Sequence, residues 1–292
     1  MAVTRMRFYG STGGVKYVDL ARELSKQNRK LHRQKQIYTV LGGYYVDSQG
    51  SRIDFNVAPH TWVTKRAINR GFAVWRKHVA KTLEHTEGAQ SGKYSDFKVR
   101  LNYDHSLQGT NQLSVADASN AGLPGGEWDY STLVSDDPDT SGRAGDQFDL
   151  HIVGQHVGNN PDWSGIGLMK SWLDSRPSPV SEDQPRNTSD LTTDPLNNLY
   201  DSSDTQDDRL GIVSDENDQQ PYDEFVFFGI GEDNSGVTQN LQRVGTAFTV
   251  NDSVALSPVP GFQAICGLIQ LEITASSSWE LVLDVESVGE SF

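Results

Sequence analysis

The feature that most constrains this fold is a two-residue alternation of apolar and polar side chains, which recurs from residue 93 to the end of the chain. In segment 279–287, for example, Trp279, Leu281, Leu283 and Val285 alternate with positions that include Glu280, Asp284 and Glu286. This period is typical of a strand with one buried face. Further strands are predicted at 37–47, 52–58, 97–103, 128–134, 148–152, 224–230, 244–256 and 263–273. The chain is therefore expected to be mainly β.

The connections between these segments are irregular in length, and several are long. A meander keeps its connections short, so antiparallel strands with long insertions favour a two-sheet sandwich such as a jelly roll. Segment 175–220 is rich in Asp, Asn, Ser and Pro and carries eleven acids against three arginines. We expect it to be an acidic excursion on the outer surface.

A helical period interrupts this pattern at residues 61–85. One apolar stripe has a spacing of three or four residues and is expected to be buried; it consists of Ile68, Phe72, Trp75, Val79 and Leu83. The basic residues Arg66, Arg70, Lys77 and Lys81 precede members of the stripe by two residues, which places them on the opposite face. The segment predicts an inserted amphipathic helix with a basic outer face.

Residues 16–36 repeat this design, with leucines on one helical face and cations on the other. The cations of this second predicted helix are Arg22, Lys26, Arg29, Lys30 and Arg33. Residues 1–14 show no periodicity and are expected to form a flexible arm. The predicted organisation is thus a basic arm and helix over 1–36, followed by a jelly-roll domain over 37–292 that includes the inserted helix 61–85 and the excursion 175–220.

Basic and acidic residues are distributed unevenly along the chain. Residues 1–100 contain nineteen Lys or Arg against seven Asp or Glu, although the whole chain carries a formal charge of −14. Such asymmetry suggests that the basic part binds a nucleic acid or another acidic surface. The nine cations of the two predicted helices are therefore the candidate nucleic-acid-binding residues.

Catalytic signatures are weak, and the sequence predicts no enzyme. No apolar run is long enough to cross a membrane, and no secretory leader is recognisable, so no membrane partner is expected. No cofactor is expected, although two acidic groups could gather calcium. These groups are Asp136, Asp137 and Asp139, and Asp215, Glu216 and Asp218.

Four stretches together resemble the single jelly-roll capsid proteins of small icosahedral viruses, particularly environmental and marine single-stranded DNA viruses. They are HTWVTKRAINRGFAVWRKHVAK, KYSDFKVRL, PVPGFQAICGLIQLEI and WELVLDVES. The resemblance implies a subunit made in the host cytoplasm that assembles into the virion shell, with its N-terminal part facing the genome. Many such proteins begin with a dense Arg/Lys arm, whereas here the cations are spread over amphipathic segments.

The expected partners are further copies of the chain, a single-stranded genome and a host receptor. Two other classes of function remain open. A jelly-roll carbohydrate-binding module would use exposed aromatic residues and acidic loops, but would leave the basic helices unexplained. A nucleic-acid-binding protein that does not assemble would use those helices and carry the β body as a scaffold.

Overall fold

A computed structural model describes residues 3–47, 49–85, 92, 94–107, 111–135, 146–159, 162–175, 241–250, 256–275, 277–286 and 290–292. Over these residues the chain is mainly β with antiparallel sheets. The predicted strand 224–230, the acidic segment after Ser175 and both candidate calcium groups lie outside them. None of the described helices is long and apolar enough to cross a membrane.

The elements follow one another in chain order. The strands are β1 (Val3–Gly10), β2 (Gly14–Asp19), β3 (Gln36–Asp47), β4 (Arg52–Val57), β5 (Thr132–Ser135), β6 (Asp146–His151), β7 (Val157–Asn159), β8 (Asp162–Gly167), β9 (Gln242–Phe248), β10 (Leu256–Val259), β11 (Phe262–Ile265), β12 (Leu268–Ile273), β13 (Trp279–Glu286) and β14 (Glu290–Ser291). The helices are α1 (Leu20–Asn28), α2 (Trp62–His85), α3 (Tyr103–Leu107) and α4 (Leu168–Asp174).

Strands from the two ends of the chain form two antiparallel sheets. The first has the order β1-β13-β3-β10, with β11 and β14 also paired to β3, and the second has the order β2-β12-β4-β9. Apolar side chains from both sheets form one core cluster. In β13 the predicted alternation is confirmed, because Trp279, Leu281, Leu283 and Val285 all lie in that core. This arrangement is consistent with a β sandwich.

The two lateral edges of these sheets differ. At the β1 and β2 edge, segment 111–116 bonds to both sheets: the Leu113 amide donates to the Tyr17 carbonyl at 2.8 Å, and the Ala116 amide donates to the Arg7 carbonyl at 2.7 Å. At the opposite edge lie β9 and β10, joined by a hydrogen bond from the Phe248 amide to Ser257 Oγ at 3.3 Å. Insertion residues therefore cover one edge, whereas the β9 and β10 edge exposes apolar side chains.

The segment between β4 and β9 contains a third sheet of order β5-β6-β8-β7, in which β6 and β8 are parallel. Helix α2 packs on α4 through a close approach at Gly71, where an added Cβ would lie 2.8 Å from Leu168 Cδ2. The Arg70 guanidinium also donates to the carbonyl of Ser171 in α4. The first half of α2 is thereby fixed to the body.

The N-terminal prediction needs two corrections. Residues 1–14 were expected to be a flexible arm, but Val3–Gly10 forms β1, which pairs with β13 and buries Met6 and Phe8 in the core. The predicted helix over 16–36 is limited to Leu20–Asn28. Its first residues belong instead to β2, because pairing with β12 satisfies their backbone groups.

The predicted strand at 263–273 is two strands joined by a tight turn. Cys266 and Gly267 have φ values of 57° and 67°, so both central residues are left-handed, as in a type I′ turn. Before the turn β11 pairs with β3 of the first sheet, and after it β12 lies in the second. The continuous apolar run hid this turn because residues on both sides are buried.

Candidate nucleic-acid interface

A cavity of about 230 Å³ lies beside α1 and gathers four of the nine predicted cations. These are Arg22, Lys26, Arg29 and Lys30. The remaining lining residues are Ser25, Leu31, Tyr94, Lys98, Gly126, Glu127 and Trp128. We call this cavity the α1 pocket. It joins three segments that are far apart in sequence.

The start of α1 depends on Asp19, which is fully buried. Its carboxylate accepts a hydrogen bond from the Arg22 amide at 3.1 Å and so caps the helix. The same carboxylate accepts hydrogen bonds from Trp128 Nε1 and the Tyr130 hydroxyl, each at 3.2 Å. Burial raises the pKa of Asp19 to about 6. One carboxyl group therefore positions both α1 and the Trp128 ring of the pocket wall.

Glu23 and Lys26 form an ion pair on the inner side of α1. The Lys26 ammonium lies 2.7 Å from Glu23 Oε1, and their side chains are 7% and 0% exposed. Lys26 also donates to Ser114 Oγ at 2.9 Å, while Glu23 accepts from the Val115 amide at 2.8 Å. Burial lowers the pKa of Lys26, and the nearby Glu23 opposes that shift. Lys26 thus mainly ties α1 to segment 111–116, which corrects its prediction as a free outward-facing cation.

Lys98 is buried with a different environment. The residue is only 7% exposed, and its backbone is held by hydrogen bonds to Ser131. Its ammonium lies 4.8 Å from the centre of the Trp128 ring. Within the described parts of the chain, no carboxylate or other acceptor bonds to that ammonium. The α1 pocket therefore contains a lysine whose ammonium contacts an aromatic face.

The outer rim of the pocket is basic and aromatic. Arg29 ends α1 with a left-handed backbone, and both it and Lys30 are exposed. The Tyr94 ring is 63% exposed. Cations together with an accessible aromatic ring suit an anionic ligand that also carries a planar group.

The cations of α2 have separate surroundings. Arg66, Lys77 and Lys81 are exposed, as predicted. Arg70 instead bonds to Ser171 through its guanidinium, so its prediction as a free cation is corrected: α4 packs against that face of the helix. Arg33, beyond α1, is 73% exposed with its Nε 3.8 Å from a carboxylate oxygen of Asp96.

The apolar stripe of α2 is also less buried than predicted. Ile68 is fully buried, but Phe72, Trp75, Val79 and Leu83 are only half-buried. Phe72 and Trp75 contact the buried ring of Phe97, at centroid distances of 5.8 Å and 5.9 Å. Beyond them, α2 shows no fully buried residue in its described part. Only the first half of the helix is packed into the body.

A buried histidine lies behind the pocket wall. His105 stacks on Tyr17 at 4.5 Å and meets the Tyr130 ring edge-on at 5.6 Å. Its Nδ1 accepts a hydrogen bond from the Leu101 amide, and burial lowers the pKa of His105 to about 3. This imidazole is therefore neutral at physiological pH.

Sequence reasoning located the basic face of α1 but missed the residues that complete the pocket. Lys98 lies in the alternating segment 97–103, where it was predicted to face solvent beside buried Phe97 and Val99. In the structure Trp128 packs against it, and no local pattern predicts that contact. Among the described residues, no group of three or more His, Cys, Asp or Glu side chains could hold a metal ion.

Comparisons with known proteins identify no relative. No protein-family model matches the chain. Searches of curated proteins and of solved structures also gave no match.

Proposed function

We propose that this chain is the capsid protein of a small icosahedral virus, with a jelly-roll shell domain that self-assembles and packages single-stranded nucleic acid. In this proposal the α1 pocket and the exposed cations of α2 face the genome inside the virion. The protein acts as a structural component and not as an enzyme. Its partners are other copies of itself and the genome.

The observation that carries the proposal is the order of the strands. β10 and β11 both pair with β3, and so do β13 and β14, so each of these pairs counts as one interrupted strand. On this count eight strands build the two large sheets. Numbered along the chain, they have the order 1-8-3-6 in the first sheet and 2-7-4-5 in the second. This is the order of two interleaved Greek keys, which supports a jelly roll. Jelly rolls are frequent in viral shells and in lectins.

The charge of the α1 pocket favours the viral reading over a carbohydrate-binding module. A neutral saccharide offers no negative charge to the Lys98 ammonium, which lines the pocket over the Trp128 ring. The phosphates of a nucleic acid supply that charge, and the rim cations Arg29 and Lys30 add long-range attraction. Phosphate contacts of this kind are independent of sequence and sensitive to salt.

The open edge of the sandwich supports self-assembly. At the β9 and β10 edge, Phe248, Val250 and Leu256 are 67%, 65% and 60% exposed. Among the described residues no further strand pairs with these edges, and apolar side chains beside such edges favour contact with another chain. The β1 and β2 edge already bonds to segment 111–116. We assign the β9 and β10 edge to contact with a second copy of the chain.

The test is assembly of the purified protein. Negative-stain microscopy and size-exclusion chromatography should show large closed particles, whereas monodisperse monomer at high protein concentration and moderate salt would contradict the proposal. The double variant Phe248→Asp with Leu256→Asp should remain folded and fail to assemble. Val3→Asp is a matched control, because Val3 is 51% exposed on the opposite edge and should leave assembly intact.

The position of the acidic segment 175–220 stays a prediction. An inward position would bring its negative charge close to the phosphates of the genome, and at a Debye length of about 8 Å the two would repel at short range. Limited proteolysis of intact particles should cut this segment before it cuts α1. Early cleavage near α1 with protection of 175–220 would reverse the proposed orientation.

A further inference from the structure

The α1 pocket contains two lysines with different partners. The Lys26 side chain is 7% exposed and pairs with Glu23, so its charge is neutralised within the protein. The Lys98 residue is also buried, but its ammonium lies over the Trp128 ring in the pocket lining and has no acceptor among the described residues. A bound anion would supply the partner that these residues do not. Lys98 is thus the centre of an anion site.

The surroundings of Lys98 add aromatic faces to this site. Trp128 lies under the ammonium and is held by its hydrogen bond to Asp19. Tyr94 also lines the pocket, and most of its surface is accessible to solvent. Phe97, which lies between Tyr94 and Lys98 in sequence, is packed against α2. An anion bound at Lys98 would therefore have an aromatic ring beside it.

We propose that the α1 pocket binds one unpaired nucleotide of a single-stranded nucleic acid, with its phosphate on the Lys98 ammonium and its base against the Tyr94 ring. The inference rests on the proposed function in taking nucleic acid as the partner. Arg29 and Lys30 at the rim contact the neighbouring phosphates of the strand. The pocket thus distinguishes a flexible single strand from a duplex.

Two observations favour a single strand. The bases of a duplex stack on each other and cannot reach a protein ring, whereas an unpaired base stacks readily on Tyr or Trp. The cavity, at about 230 Å³, is also smaller than the roughly 300–1,000 Å³ of pockets for drug-sized ligands. A site of this size admits part of one nucleotide and excludes a double helix.

The first test measures binding of a fluorescein-labelled oligothymidylate to the full chain by anisotropy. Lys98→Met should weaken binding by about tenfold or more, because it removes a charge-assisted contact, and should reduce the salt dependence by about one released counterion. Lys170→Met removes a partly exposed lysine of α4 that is not among the candidate binding residues, and it should change affinity less than about threefold. Equal losses in the two variants would overturn the proposal. Lys98→Arg, which keeps the charge, should retain more binding than Lys98→Met.

The second test concerns the base. Tyr94→Ala should weaken oligothymidylate binding by about 5- to 100-fold, as loss of one stacked base predicts, while Tyr94→Phe keeps the ring and should bind normally. Inorganic polyphosphate carries no base, so its affinity should be the same for wild type and Tyr94→Ala. If the substitution has no effect on oligothymidylate either, the pocket binds phosphate alone and the proposal fails. Duplex DNA of matched length should bind more weakly than the single strand.

The assembly-defective double variant at Phe248 and Leu256 separates this inference from the proposed function. Its binding should match that of wild type, because the exchanged residues belong to the β9 edge and β10. Suppose that particles form normally but neither Lys98→Met nor Tyr94→Ala alters oligonucleotide binding. The nucleotide-binding role of the pocket would then be wrong, and the proposed capsid function would still stand. If the chain never assembles but its oligonucleotide binding depends on Lys98 and Tyr94, the nucleotide-binding role of the pocket would stand and the capsid function would be wrong.

Discussion

Helix α1 holds Arg22 and Lys26 against the buried carboxylate of Glu23, whereas most basic residues of α2 face solvent. The neighbouring pocket contains Lys98, to which the described residues supply no carboxylate. In α2, Lys77 and Lys81 are exposed near the part of the helix that packs least. The comparison teaches that amphipathic sequence alone does not make a binding site. Burial decides which cations act at short range and which contribute only to a long-range field.

The largest effect is expected when the buried acid of α1, Glu23, is removed. Glu23→Ala should lower the free energy of unfolding by about 3–5 kcal/mol, because it leaves the Lys26 ammonium buried without its carboxylate. Glu84→Ala, at an exposed position of α2, should change it by no more than about 0.5 kcal/mol. Urea denaturation monitored by tryptophan fluorescence measures both. The double variant Glu23→Leu with Lys26→Met should recover part of the loss; identical midpoints for Glu23→Ala and wild type would show that the pair is not coupled.

A second prediction compares the two halves of α2. Ile68→Ala should lower the free energy of unfolding by about 2–5 kcal/mol, since Ile68 is fully buried. Val79→Ala should cost less than about 1 kcal/mol, because Val79 is half-buried. Trp75→Ala should fall below the roughly 3–5 kcal/mol expected for a fully buried ring. Equal costs for Ile68→Ala and Val79→Ala, measured by thermal or urea unfolding, would mean that the whole helix is packed.

Acid pH should lower the free energy of unfolding through His105, which lies behind the wall of the α1 pocket. Burial lowers the pKa of His105 to about 3. Near pH 6.5 the histidine therefore becomes protonated in the unfolded chain but stays neutral in the folded chain. This contribution to stability is present above pH 6.5 and is lost as the pH falls toward 3. Asp19 opposes it, because burial raises its pKa to about 6 and ionisation of Asp19 destabilises the fold as the pH rises from about 4 to 6.

Comparison with His105→Gln isolates the histidine. As the pH falls from 6.5 to 4, wild type should lose about 2–3 kcal/mol of unfolding free energy relative to the variant. Denaturation curves at a series of pH values give this difference directly, and Asp19 contributes equally to both proteins. A constant difference across the range would show that His105 titrates normally in the folded state.

The smallest effects are expected for the exposed cations of α2. The variant with Arg66, Lys77 and Lys81 all changed to Gln should unfold within about 0.5 kcal/mol of wild type and bind nucleic acid with a shallower salt dependence. Arg70→Gln should instead cost about 0.5–1.5 kcal/mol of stability, because it loses its hydrogen bonds to Ser171. Equal stability of the two variants would place Arg70 among the free cations after all.

The fold was predictable where one pattern extends over a whole element. The alternation in β13 and the helical period of α2 gave both elements nearly their observed bounds. Strand β1 was missed because its eight residues bury only Met6 and Phe8 fully. Its position is determined by pairing with β13, a strand at the other end of the chain. The residue pattern within β1 does not predict that pairing.

The candidate site was predictable only in part, for a related reason. The cations of α1 lie on one helical face, and sequence spacing places them together. Tyr94, Lys98 and Trp128 join them through packing between distant segments. Lys98 even carries a misleading pattern, since it alternates with buried apolar residues as a solvent-facing lysine would. A buried lysine without an acceptor is visible only in three dimensions.

The position of β13 determines when this protein can fold during its synthesis. Residues 279–286 lie between β1 and β3, so these two strands cannot be joined in the sheet until β13 has been synthesised. Strand β4 likewise waits for β9 while the whole segment between them is made. Such long-range pairing makes folding slow. A chain that ends before β13 lacks the centre of its first sheet, so the native pairing of β1 and β3 with that strand cannot form.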